Sequence, residues 1–332
     1  MKRLGLIFAA LALVACHSEP PQAAAPAVSA AEQVETGRYL AQAGDCAACH
    51  TVPGGTPFAG GRPIVTPYGS IYSTNLTPDA SGLGGWSADD FWQALHYGRS
   101  KTLGSLYPAF PFTNFTKLSR ADSDALYAYF RSLQPVAKPT PAAQLRFPYN
   151  QRGLMAVWRA LYFIPGSYQA DATKSASWNR GAYLAQGLGH CDACHSEYTA
   201  LGAVKGDSRL HGGTMPGAGW YAPAITGGDA HQAAQLAALL RSGVSAHDAV
   251  AGPMASVVYY SLQHLQPQDA QAIAEYLVSL PPAAAPQAPQ LLSAAEATGL
   301  RQRGRAIYEK QCQDCHAADG SGRPPAYPAL AG

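Results

Sequence analysis

Six of the seven cysteines in this 332-residue chain sit in three copies of one pattern, C-x-x-C-H: Cys46–His50, Cys191–His195 and Cys312–His316. The spacing suits covalent attachment of a c-type haem. One helical turn sets two thiols where they can add to the two vinyl groups of the porphyrin. The next residue then presents its imidazole to the iron as proximal ligand. A single copy could equally be a redox dithiol or half of a zinc site. Three copies, each with its histidine, favour haem attachment. Cys46, Cys49, Cys191, Cys194, Cys312 and Cys315 are then the attachment points, and His50, His195 and His316 the iron ligands.

The seventh cysteine lies apart. Lys2 and Arg3 precede an apolar run, Leu4 to Ala15, which ends at Cys16. The run has the length and charge of an export signal and is too short to span a bilayer. Small residues before a cysteine look like a bacterial lipobox, which predicts lipidation of Cys16 and anchorage on the periplasmic side of a membrane. The other reading is an ordinary signal peptide that happens to contain a cysteine. Residues 17–31, rich in alanine and proline, read as a tether. Formal net charge is only +2, spread without blocks, which argues against a nucleic-acid partner.

The motifs lie inside longer repeats. Gly37-Arg-Tyr39-Leu40-Ala41-Gln42 precedes the first motif, Gly181-Ala-Tyr183-Leu184-Ala185-Gln186 the second, and Gly304-Arg-Ala-Ile307-Tyr308 the third. Each predicts a short helix with a small residue and an aromatic on one face, suited to close helix crossing. After the first two motifs comes a loop with a tyrosine and a threonine five apart, Tyr72 to Thr77 and Tyr221 to Thr226. Each of these repeats closes on an amphipathic helix, Asp122 to Leu133 and Asp269 to Leu280. Ser29, Ser87, Ser119 and Ser293, each with an acid three residues on, predict capping boxes. This order resembles the class I cytochrome c fold, in which a few short helices wrap one haem. The haem supplies much of the core, so a domain of about 100 residues can hold little regular structure. The 33 glycines and 26 prolines agree with that. The expected fold is mainly α: tandem class I cytochrome c domains, two complete and one partial. Residues 1–16 are the signal, 17–31 the tether, 32–174 domain one with a C-terminal extension, 175–282 domain two, 283–292 a linker and 293–332 a partial domain three.

The sixth iron position separates the repeats. In repeat two, Met254 follows Gly252-Pro253 in the loop before the closing helix, where class I cytochromes place an axial thioether. Met215 comes too early and reads as packing or surface. In repeat one the matching slot holds Phe110, which cannot bind iron. Three readings stay open there: Met155 folding back from beyond the closing helix, His96, or an open iron. In repeat three only 17 residues follow Cys315, with no methionine or histidine after His316. The expectation is an incomplete sequence or a truncation, with the third haem absent or exposed.

The chain resembles the three-haem cytochrome c subunits of membrane-associated bacterial dehydrogenases acting on alcohols, gluconate, aldehydes and related substrates. The stretches GDCAACHT, TPYGSIYSTNLTPD, LYPAFPFTNFTKLS, RFPYNQRGLMAVW, GHCDACHS and GPMASVVYYSLQHL carry the likeness. It departs at Phe110, where many members have methionine, and in its short third domain. The resemblance implies a chain that takes electrons from a catalytic dehydrogenase subunit and passes them to quinone or a terminal oxidase. The competing class is a haem enzyme, a peroxidase or thiosulfate-oxidising cytochrome, using an open iron in repeat one. A soluble shuttle is a third reading, disfavoured by the lipobox and tether.

Overall fold

A computed structural model describes residues 29–245, 248–284, 292–323 and 326–330. Cys16, the tether up to residue 28 and most of the 283–292 linker lie outside these residues. Repeat one contains α1 (Ala30–Ala43), α2 (Cys46–His50), α3 (Ala88–Tyr97), α4 (Phe112–Phe115) and α5 (Arg120–Ser132). A C-terminal extension adds α6 (Met155–Tyr162) and a short strand, Gln144–Leu145, which pairs with the hairpin Pro63–Thr66/Gly69–Tyr72. Repeat two contains α7 (Ala176–Tyr183), continued by a π-helical turn at Leu184–Leu188, then α8 (Ala230–Ser242), α9 (Pro253–Tyr260) and α10 (Pro267–Ser279). Repeat three contributes α11 (Ala294–Gln311) and α12 (Gln313–His316). Among the described residues no helix is long and apolar enough to cross a membrane.

Within each of the first two repeats the opening helix crosses the closing helix at a glycine. A Cβ on Gly37 would lie 1.9 Å from the carbonyl oxygen of Ala125, and one on Gly181 would lie 1.9 Å from that of Ala272. Only glycine allows backbones this close. The matching Gly304 of α11 meets nothing within 4 Å, and α11 has no buried residue. That helix has no partner of the α5 or α10 kind among the described residues.

The capping boxes form at Ser29, Ser87 and Ser293, where serine and acid satisfy each other's backbone N–H. At Ser119 the pattern is altered. Ser119 accepts from the Asp122 N–H, but the Asp122 carboxylate is taken by the Tyr183 hydroxyl of repeat two. That hydroxyl in turn accepts from the Ser119 N–H at 3.0 Å. The same insertion occurs in the opposite direction. The Tyr39 hydroxyl donates to Asp269 at 2.6 Å and accepts from the N–H of Gln266, the cap residue of α10, at 3.3 Å. Each repeat thus plugs its opening-helix tyrosine into the N-terminus of the other's closing helix. Burial first, and the neighbouring carboxylate second, hold both phenols protonated well above the ordinary range.

Asp269 also receives a two-pronged bond from Arg180, at 2.9 and 2.7 Å. Burial works to raise this carboxyl, but the bonds from Arg180 and Tyr39 outweigh it and hold it below the usual range. Further exchanges tie the repeats together. Asn114 donates to the Gln186 carbonyl at 2.9 Å, and Ser261 to that of Ala43 at 3.2 Å. Leu40, Phe115, Leu118, Leu184, Leu188, Leu262 and Leu265 form one buried cluster across the two repeats. Each such side chain contributes about 1.5–3 kcal/mol when fully buried.

Gly181→Ala should force α7 and α10 apart, lowering stability by about 1–3 kcal/mol. Urea unfolding of the holoprotein reads this as a lower midpoint with unchanged slope. Gly304→Ala, on the unpartnered helix, should not lower it.

Candidate functional site

Each C-x-x-C-H motif turns its histidine the same way. Nδ1 of His50 lies 2.7 Å from the Thr74 carbonyl oxygen, Nδ1 of His195 2.7 Å from that of Pro223, and Nδ1 of His316 2.9 Å from that of Pro328. A carbonyl only accepts, so Nδ1 carries the proton and Nε2 keeps its lone pair free for a metal. Burial lowers the affinity of His50 and His195 for a further proton, against the opposing pull of the carbonyl bond, so both rings stay neutral. The carbonyls come from the loops between tyrosine and threonine in repeats one and two. The position is visible in the sequence as a repeat; its purpose is not, because a backbone carbonyl leaves no residue signature. In repeat three the equivalent loop includes Tyr327 and Pro328, so the histidine-orienting half of the site is present there.

The thiols fit attachment better than dithiol redox chemistry. Among the described residues the six cysteines are unpaired. Burial pushes Cys46 and Cys191 up to about 12 and Cys194 up to about 11. A catalytic dithiol needs the opposite shift, toward thiolate. Nor do the motifs assemble zinc sites: among the described residues no three His, Cys, Asp or Glu side chains converge to hold a metal ion.

Cys46, Cys49 and His50 open onto a predominantly apolar cavity of about 1160 Å³. Phe91, Leu95, Phe110, Phe115 and Phe130 form part of its wall, and the Lys101, Gln151 and Arg152 side chains supply polar positions. A flat, apolar macrocycle with acidic edge groups suits such a lining. The residues present fit a c-type haem: two thiols, a neutral imidazole with a free nitrogen, and an apolar chamber beside them.

The three readings for the sixth position of repeat one fare differently. Met155, carried by α6, is 7% exposed and lines the cavity. Phe110 lines it too, in the slot expected for methionine. His96 is not among the lining residues. It is buried and stacked on Trp92 with ring centroids 4.2 Å apart, and its Nδ1 has no hydrogen-bond partner. Met215, whose position predicts packing or surface, also lines the cavity, from the repeat-two side. In repeat two, Met254 lies in the first turn of α9, half-buried against the shared core, just after Pro253. Gly252 before it adopts φ 55°, and a Cβ there would enter the Trp220 ring at 2.6 Å.

The cavity is not built by repeat one alone. Cys194 and Tyr198 of repeat two, with Leu188 and His190, complete its wall. The two attachment motifs therefore meet at one interface. α6 helps to close it: Met155 and Trp158 pack with Phe112 and Ala203, and Trp158 Nε1 donates to the Leu201 carbonyl at 2.9 Å.

The Cytochrome c family profile matches residues 34–134. A subunit of the nicotinate dehydrogenase of Pseudomonas putida is 45% identical over 88% of this chain, which spans 25% of that protein. The gluconate 2-dehydrogenase cytochrome c subunit of Pantoea cypripedii is 40% identical over 87% of this chain and 70% of its own length. The cytochrome c subunit of the quinone-dependent alcohol dehydrogenase of Gluconobacter oxydans is 38% identical, over 90% and 66% respectively. Replacing Cys46 and Cys49 together by alanine should reduce the intact mass of the mature protein by one haem and leave attachment at Cys191 and Cys194 unchanged. This chain belongs to the cytochrome c family, among the cytochrome c subunits that these relatives represent, and carries covalently bound haem c.

Proposed function

We propose that the chain is the electron-transfer subunit of a dehydrogenase complex, receiving electrons from a catalytic subunit and delivering them to quinone or a terminal oxidase. The observation that carries this reading is the shared wall between the two attachment motifs, with Cys194 of repeat two lining the cavity entered by Cys46 and Cys49. Bound haem supplies reversible one-electron chemistry; the chain sets ligands, burial and spacing. Tunnelling falls steeply with separation, so a rigid interface that brings two haem positions together favours rapid exchange. The Tyr39 and Tyr183 insertions supply that rigidity. On this reading Cys16 carries a lipid that holds the chain at the periplasmic face of a membrane, near a membrane-associated partner.

In this proposal Met155 completes the iron ligation in repeat one and Met254 in repeat two. A thioether ligand raises the potential, as an acceptor of dehydrogenase electrons requires. The peroxidase alternative needs an acid–base group on the distal side of repeat one. His96, the histidine considered for that role, is absent from the cavity wall, and the carboxylate that lines it, Asp45, sits beside the attachment residue Cys46.

Mixing the oxidised protein with a reduced partner dehydrogenase should bleach both ferric haem spectra in a single-turnover experiment, with no peroxide turnover. Peroxide consumption at a high-spin haem would sink the reading. Met155→Leu should convert one haem from low-spin to high-spin and let it bind cyanide, while His96→Ala should leave the spectrum low-spin. The reverse pattern would move the ligand from Met155 to His96.

A further inference from the structure

Asp45 immediately precedes the first haem cysteine and serves no structural purpose that the surrounding contacts reveal. It occupies the cap position of α2 without making a cap hydrogen bond, and its backbone is left-handed, φ 54°. Its Oδ1 is buried and has no hydrogen-bond partner. The side chain lines the cavity shared by the repeats, and it is close enough to Cys49 and to Cys194 of repeat two to raise both thiols electrostatically. A carboxylate with one oxygen buried and unpartnered, on a left-handed backbone, costs stability, and such features concentrate where they serve function.

We propose that Asp45 is a potential-setting residue between the two haem positions, taking up a proton from solvent as an electron arrives there and so tying the potential to pH. The balance is simple. With haem bound at these motifs, the electron would come from the donor and reduce one ferric iron to ferrous. The proton forms an O–H bond on the Asp45 carboxylate, and no other bond is made or broken. Net charge at the buried interface then stays constant, which avoids the cost of an uncompensated charge in a low-dielectric site. This deepens the electron-transfer reading and rests on it.

The electrostatic surroundings agree. Burial pushes Asp45 up to about 7, against the opposing charge of Arg62. Arg62 does not clamp the carboxylate; its guanidinium donates to the Ala48 carbonyl. Cys46, Cys49 and Cys194 become uncharged thioethers once attached. His190 is the counterpart of Asp45 in repeat two: it precedes Cys191, is also left-handed, φ 37°, and lines the same cavity. Burial lowers its proton affinity, while Asp192 and the Gly44 carbonyl oppose that. Asp192 itself is committed to Asn114 and Arg209. Asp45 is thus the carboxylate lining this cavity that has no committed partner among the described residues.

The test is an equilibrium redox titration of the purified holoprotein with chemical mediators, followed in the haem absorption bands at several pH values on either side of 7. At a fixed poise, the reduced-to-oxidised ratio of at least one haem should fall by about two- to tenfold per pH unit, the upper limit being one proton per electron. Asp45→Asn should abolish that fall near pH 7, with low-spin spectra unchanged. His190→Gln should retain it. A flat wild-type profile, or a slope kept in Asp45→Asn and lost in His190→Gln, overturns the proposal. Haems that fail to cycle reversibly with mediators would instead overturn the electron-transfer reading beneath it.

Discussion

The structure depends on two tyrosine hydroxyls. Tyr39 and Tyr183 each enter the first turn of a helix that belongs to the other repeat, donating to its aspartate and accepting from its cap N–H. A helix N-terminus presents unpaired donors and a partial positive charge, and an aspartate at the third position is its usual internal remedy. Here that remedy is opened and a foreign hydroxyl inserted. Both ends of the hydroxyl are satisfied in a part-buried interface, so neither tyrosine can withdraw without stranding a donor and an acid. The two repeats are locked together reciprocally, and the features they share at the haem sites go with it: the common leucine cluster, the cavity walled from both sides, and the nearness of Cys49 to Cys194.

The sequence is legible where the chemistry is local. Each C-x-x-C-H motif spans a single turn, so spacing alone points to the two thiols and the histidine beside them. Gly37 and Gly181 signal close helix crossing through their place beside an aromatic. Ser119 and Asp122 have the spacing of a capping pair, and half of that pair forms. The other half is diverted to Tyr183, a partner 61 residues away. Nothing local separates a tyrosine that packs within its own repeat from one that serves the neighbour. The carbonyls of Thr74, Pro223 and Pro328 are equally hidden, since any residue type offers a carbonyl and only backbone path decides its direction.

The distal side is readable only in part, for a related reason. Met155 lies 105 residues beyond His50, on a helix outside the repeat pattern, yet it lines the same cavity. Phe110 in the methionine slot shows that something else is needed. Met215 looks irrelevant to a haem pocket because its place in repeat two comes before the expected loop. That holds only if each repeat builds its own pocket. The interface breaks the condition: a repeat-two residue can line the cavity of repeat one, and Met215 does.

The histidine–carbonyl hydrogen bonds each stay within their own repeat, at separations of 24, 28 and 12 residues. In repeat three the bond joins His316 to Pro328, only 12 positions further along the chain, while α11 buries nothing. Short loops close at small entropic cost. Aiming the His316 ring therefore asks nothing of distant parts of the chain. The aim of the ligand in repeat three is thus independent of the interface that joins the first two repeats.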